Sequence, residues 1–292
     1  MHVSNRDEAP FSPGVALENV IDDLKIRGNK EQERAIRMVG EHFIDGTEEQ
    51  LLCHILGPDG TGKSHVFKAI VELFKQCKAS KKLMLSASTG CAAILIDGYA
   101  LHALIFLGPF KTKTRPKLLE KLWKHVHYLI IDEVSMISAN FFHQVSERIR
   151  KAKAWDPTSS GKPFGGVNLV IMGDIGQLPP INTASLFSHK LVNKIKANIA
   201  KTNLGQESLN GAFLWRQLNK VVELKSNIRA KHDQLFINLL ARIRQGNAWN
   251  VIKGKTDVQI GTSKNYAESY YQVLLSRRMQ LLAEKDPQSM TS

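Results

Sequence analysis

Eight consecutive residues, Gly57-Pro58-Asp59-Gly60-Thr61-Gly62-Lys63-Ser64, satisfy the pattern G-x-x-x-x-G-K-[ST]. Glycines at this spacing let backbone N–H groups turn inward around an anion. A helix that starts at the end of the run aims its positive pole at the same charge. The lysine can reach the β- and γ-phosphates of a nucleotide, and the hydroxyl that follows can ligate a divalent cation. Gly57, Pro58, Asp59, Gly60, Thr61, Gly62, Lys63 and Ser64 are therefore the expected cradle for ATP, with Lys63 acting on the phosphates and Ser64 on Mg²⁺.

Two further runs supply what phosphate hydrolysis needs. Tyr128-Leu129-Ile130-Ile131 leads into Asp132-Glu133 about 70 residues after Lys63. Asp132 suits the metal, held through water, and Glu133 suits polarisation of an attacking water. Gly173-Asp174-Ile175-Gly176-Gln177-Leu178-Pro179-Pro180 again follows an apolar run. A neutral amide such as Gln177 can hydrogen-bond both a phosphate oxygen and the attacking water, and two prolines stiffen the loop that carries it. Taken singly, these runs could be a glycine-rich turn, an acidic pair capping a strand and a rigid loop. Their order along one chain favours ATP chemistry.

Such groups need a scaffold that brings strand ends together. Gln50–Leu56, Lys82–Ala87, Tyr128–Ile131, Val167–Met172 and Val221–Leu224 read as short, nearly continuous apolar strands. Helical segments separate them, and this pattern implies an α/β fold with a mostly parallel sheet covered by helices on both faces. Ligands bind such sheets at the carboxyl ends of the strands. Residues 30–44 place Ala35, Ile36, Val39 and Phe43 on one helical face, with Gln32 in the first turn. Residues 1–24, with Pro10, Pro13, Gly14 and several carboxylates, read as a mobile leader.

Composition narrows the partner. The 292 residues carry a formal net charge of +13, which favours a polyanion such as nucleic acid. Lys111–Lys124 and Arg148–Lys153 are the densest basic runs, although such runs are more often solvated helix faces. Cys53, Cys77 and Cys91 are far apart and fit neither a disulfide framework nor a zinc site, which suits a reducing intracellular compartment. No apolar stretch is long enough to span a bilayer.

Taken in order, Asn29-Lys30-Glu31-Gln32, the Gly57–Ser64 loop, Ser88-Thr89-Gly90-Cys91-Ala92-Ala93, Asp132-Glu133-Val134-Ser135-Met136 and Gly173–Pro180 resemble the PIF-type (petite integration frequency) DNA helicases. These belong to superfamily one and are related to bacterial RecD. The resemblance runs over about residues 26–246. It implies a RecA-like P-loop NTPase core with a basic insert over 25–225, then the incomplete start of a second RecA-like core over 226–292. Gln32 is then similar to an adenine-reading glutamine, and Thr89, Gly90 and His102 to residues that contact single-stranded DNA. Arg229, in Asn227-Ile228-Arg229, resembles an arginine finger, a group that can be worth roughly 10³ to 10⁵ in rate.

The activity that the resemblance implies is ATP-driven 5′-to-3′ movement on single-stranded DNA and unwinding at duplex junctions. DNA repair, recombination or telomere maintenance is the implied setting, and the nucleus or mitochondrion the implied location. The sequence departs from the family pattern at Ala100, where threonine is usual, and at Ile175 and Gly176, where bulkier residues are usual. It ends at Ser292, before a whole second core would fit, and Gln272–Arg278 reads as one strand of that core. Two alternatives remain at this point: a fragment that binds nucleotide and DNA without turnover, and a P-loop ATPase that does not act on DNA.

Overall fold

The computed structural model describes residues 12–107, 116–188 and 202–229, with isolated positions at 237, 238, 240, 241 and 244. The chain divides into two units, Met1–Lys231 and His232–Ser292. The described fold is that of the first. Gln272–Arg278, together with Lys111, Lys113 and Arg115 of the basic insert, lies outside the described residues.

Six strands, β1 (Leu52–Leu56), β2 (Leu83–Ala87), β3 (Tyr99–Ala100), β4 (Tyr128–Asp132), β5 (Asn168–Gly173) and β6 (Lys220–Glu223), form one parallel sheet in the order β3-β2-β4-β5-β1-β6. Alternation along the strands sends neighbours to opposite faces. Cys53, Ile55, Tyr128, Ile130, Val170 and Met172 enter one core, under α1 (Pro13–Asp23), α2 (Lys30–Asp45) and α3 (Lys63–Gln76). Leu52, Leu129, Ile131, Leu169 and Ile171 enter the other. That second core is covered by α5 (Leu101–Leu104), α6 (Pro116–Trp123), α7 (Ala139–Ala152) and α8 (Asn203–Arg216). The short α4 (Gly90–Leu95) lies between β2 and β3. On the second face α7 and α8 approach closely, because a Cβ at Gly211 would fall 1.7 Å from the Ala139 carbonyl oxygen.

Within the expected mobile leader over 1–24, the described residues are ordered instead. Residues 13–23 form α1, which buries Ala16, Leu17, Val20 and Ile21 against α2 and α3. Pro13 is compatible with this helix because it stands in the first turn, where its missing N–H has no intrahelical partner to lose. Arg37 and Arg27 clasp Glu18 of α1, and Arg27 also reaches Asp22. The boundary at the other end also shifts: Asn227–Arg229 belong with the first unit, where the Ile228 and Arg229 N–H groups bond to Gly60 and the Asn227 side chain to Asp59.

Candidate functional site

The sheet order makes four carboxyl-terminal loops neighbours. Registers Ile131↔Ile171, Leu56↔Gly173 and Leu56↔Glu223 align the ends of β4, β5, β1 and β6. The acidic pair, the Asp174–Pro180 loop, the Gly57–Ser64 loop and Asn227–Arg229 therefore emerge side by side along one edge.

The loop after β1 is held by short-range bonds that depend on its residue types. Thr61 is buried and its hydroxyl donates to the Pro58 carbonyl at 2.7 Å. Gly60 and Gly62 have φ of +83° and +92°, and Lys63 opens α3 directly behind them. Lys63 Nζ donates to the Gly57 and Pro58 carbonyls at 2.9 and 3.2 Å and lies 3.5 Å from Asp59 Oδ1. The same Asp59 oxygen accepts from Gln177 Nε2 at 3.0 Å.

Gln32 is set by the start of α2. Asn29 caps that helix by accepting from the Gln32 N–H, and the Gln32 side chain, 2% exposed, donates from Nε2 to the Thr61 carbonyl at 3.1 Å. It thus braces the phosphate loop from behind. On the far side, the Ile228 and Arg229 N–H groups both donate to Gly60 O, at 2.7 and 3.2 Å. Asn227 Nδ2 donates to Asp59 O at 3.1 Å.

Gln32, Lys63, Ser64, Asp132, Glu133 and Arg229 line one cleft of about 790 Å³. Burial pushes the Asp132 carboxyl upward, opposed by the Glu133 N–H bond to Asp132 Oδ1 and by the charge of Lys63. Burial also raises Glu133, and the neighbouring Asp132 adds to the effect. Glu133 itself takes a left-handed φ of 55°, which turns it out of the strand direction. Two desolvated carboxyls side by side leave a demand for positive charge.

Thr89, Gly90 and His102 are not in this cleft. They follow β2 and β3 at the sheet's free edge, on the same carboxyl side, where Ala87 pairs with Ala100. Thr89 caps α4, accepting from Ala92 N at 3.2 Å, and an added Cβ at Gly90 would meet nothing within 4 Å. His102 stacks on Phe141 with ring centroids 3.9 Å apart, and burial lowers its basicity. Sequence reasoning missed Leu24 and Lys25, which line the nucleotide cleft from the end of α1. The signal was the Ala16, Leu17, Val20, Ile21 spacing, masked by Pro13 and Gly14. In the other direction, Lys153, counted within a basic surface run, is buried.

A parallel sheet with a glycine-rich loop into a helix, an acidic strand end and a glutamine loop between them defines a P-loop nucleotide-binding domain of RecA-like type. Residues 28–253 match the family model described as PIF1-like helicase. The chain belongs to that family. The ATP-dependent DNA helicase PIF1 of Candida albicans is 28% identical over 262 residues, spanning 82% of this chain and 27% of that protein. A crystal structure of Pif1 helicase from Candida albicans aligns at 28% identity with a TM-score of 0.56, over 75% of this chain and 44% of that one. Bacteroides Pif1 bound to ssDNA aligns at 26% identity with a TM-score of 0.51, over 77% of this chain and 51% of that one. The chain spans 27% to 33% of the first three curated helicases it matches.

Proposed function

We propose that this domain binds and hydrolyses ATP with Mg²⁺ and, as the motor portion of an ATP-dependent DNA helicase, couples that cycle to movement on single-stranded DNA. The observation that carries the reading is the convergence of Lys63, Ser64, Asp132, Glu133 and Arg229 on one cleft. Lys63 and the N–H groups at the start of α3 hold the phosphates. Glu133 accepts a proton from the attacking water, and its raised affinity for protons suits that role. Gln177 orients the same water, and Arg229 meets charge developing on the transferred group. Gln32 serves first as the brace of the loop, with the adenine reading its further role.

The donor set fits Mg²⁺. Ser64 and Asp132 supply hard oxygen ligands, and a magnesium ion keeps several waters and takes few protein ligands. Ser86, Ser88 and Ser135, on segments flanking Asp132, have buried hydroxyl oxygens with no partner among the described residues, and these can accept or donate to metal-bound water. Held by Ser64 and Asp132, the ion would supply positive charge against that of the phosphates. DNA is assigned to the edge carrying Thr89, Gly90 and His102, in keeping with the Bacteroides relative bound to ssDNA. Direction from 5′ to 3′, action at duplex junctions, a second motor core beyond residue 231, and nuclear or mitochondrial residence follow from family membership as parts of the same proposal. Among the described residues no helix is long and apolar enough to cross a membrane.

The test is steady-state ATP hydrolysis by the purified chain with and without single-stranded DNA, beside Glu133→Gln. DNA-stimulated turnover that disappears in the variant supports the motor. Binding of ATP and DNA without turnover supports a binding module instead, and turnover indifferent to DNA supports an ATPase with another partner.

A further inference from the structure

The opposite, amino-terminal edge of the sheet carries a second polar site. It lies where α7 ends and where the chain enters β4 and β5. A pocket of about 70 Å³ opens there between His127, Lys153, Asp156, Thr158, Lys162 and Gly166. That volume is about that of two waters, the size of one tetrahedral anion and too small for a nucleotide.

Lys153 is the unusual member. It is 6% exposed, yet its ammonium makes one hydrogen bond, 3.3 Å to the Lys124 carbonyl, and sits 5.8 Å from the Trp155 ring centroid. An ammonium has three donors, so two are unspent among the described residues. Among the described residues no carboxylate lies within ion-pair distance of it. Asp156, the acid acting on it, is half-buried at the same pocket, and its Oδ1 accepts instead from the Thr158 N–H and hydroxyl at 2.9 and 2.7 Å. The end of α7 contributes roughly half a negative charge at most and Asp156 acts only from beyond ion-pair distance, so the buried ammonium has no direct ionic contact among the described residues.

The surroundings add positive charge. Lys162 stands half-buried at the same pocket, in no direct ion pair among the described residues, so that two lysines share the charge of the single carboxylate of Asp156. His127 is held less basic than usual by burial and then by Lys153, Lys82 and His125. The backbone fixes the arrangement: Phe164, Gly165 and Gly166 all have positive φ, and Phe164 is locked into the core against Phe142. A Cβ on Gly165 would lie 2.8 Å from Lys153 Cβ, so this turn presses directly on the lysine stem.

We propose that this pocket binds one tetrahedral oxyanion, a phosphate group either free or carried in a nucleic-acid backbone, with Lys153 as its buried anchor and Lys162 beside it. The site is independent of the nucleotide cleft and sits at the other edge of the sheet. It would accept the anion by hydrogen bonds from the two spare Lys153 donors and from Lys162.

Hydrogen–deuterium exchange on the full chain, titrated with inorganic phosphate, tests this locally. Phosphate should slow exchange across residues 153–167, separately from any response at the Gly57–Ser64 loop. Lys153→Met should weaken that response by about ten- to a hundredfold, the loss expected for charged hydrogen bonds. Lys162→Gln, a half-buried position, should weaken it without disturbing the core and serves if the first variant folds poorly. A single-stranded oligonucleotide that protects the same segment and is displaced by phosphate identifies a backbone phosphate as the ligand. Protection by phosphate alone identifies a free anion. No phosphate-dependent change in this segment, or a change of equal size in both variants, overturns the proposal.

Discussion

Gly62→Ala probes the contact between α2 and the phosphate loop most directly. The new Cβ would lie 2.0 Å from Gln32 Nε2, so the buried amide must leave its place against Thr61 O. Losing that bond and leaving the amide unpaired costs about 1–3 kcal/mol. A side chain at φ +92° adds about 1–2 kcal/mol of backbone strain. The sum, about 2–5 kcal/mol, is a large part of the roughly 5–15 kcal/mol that holds a domain together. Gln32→Ala removes the obstacle, and in that background Gly62→Ala should cost only the backbone strain. A double-mutant cycle by urea unfolding should thus give a coupling of about 1–3 kcal/mol. Equal costs in the two backgrounds, or a single-variant change within about 0.5 kcal/mol, would refute the placement of Gln32 behind the loop.

Three other outcomes follow from the same structure. Glu133→Gln should lower ATP turnover by about 10²- to 10⁴-fold while leaving nucleotide affinity nearly intact, as single-turnover and equilibrium binding measurements would separate. His54, 5% exposed on β1 with its ring 5.0 Å from that of Trp215, is driven by burial from 6.5 to about 4. The unfolded chain therefore takes up the proton first, and stability should fall by about 3 kcal/mol as pH drops from about 6.5 to 4; His54→Leu should remove that part of the slope in urea titrations. Glu18 is held down to about 2 by hydrogen bonds from Arg37 and then Arg27. Its contribution is present above about 4.5 and lost as pH falls towards 2, and because the side chain is 44% exposed, Glu18→Gln at neutral pH should cost under about 1 kcal/mol.

Local patterns were legible in the sequence wherever one physical rule dominated. Leu129, Ile130 and Ile131 form a strand because both faces of the sheet are covered, so every position is apolar. The glycine-rich loop was legible because phosphate binding restricts its residue types. Helix α1 was hidden because Pro13 and Gly14 are ordinarily turn residues, and only the partner surfaces of α2 and α3 make the four apolar residues after them worth burying. β3 was hidden for a related reason: two residues, Tyr99 and Ala100, are too few for alternation to register. Lys153 shows the limit from the other side. Charge is countable in a sequence, but whether a lysine faces water depends on a turn, Phe164–Gly166, whose positive φ values depend on anchoring by tertiary contacts.

Asp59 gives the nucleotide cleft its internal logic. One of its oxygens accepts from Gln177 and lies within ion-pair reach of Lys63, and its backbone carbonyl accepts from Asn227. The loops after β1, β5 and β6 are therefore joined through a single residue whose type the phosphate-loop pattern leaves open. Because its carboxylate is largely exposed, each of these bonds is weak in water. A triphosphate brings several negative charges to the same donors, so it competes with Asp59 for Lys63 and Gln177 on favourable terms. On the proposed function, Lys63 would leave the Gly57 and Pro58 carbonyls for the phosphates, and Gln177 would be free to turn towards the attacking water. By that exchange, nucleotide binding would alter the link between the β1 and β5 loops without any strand having to move.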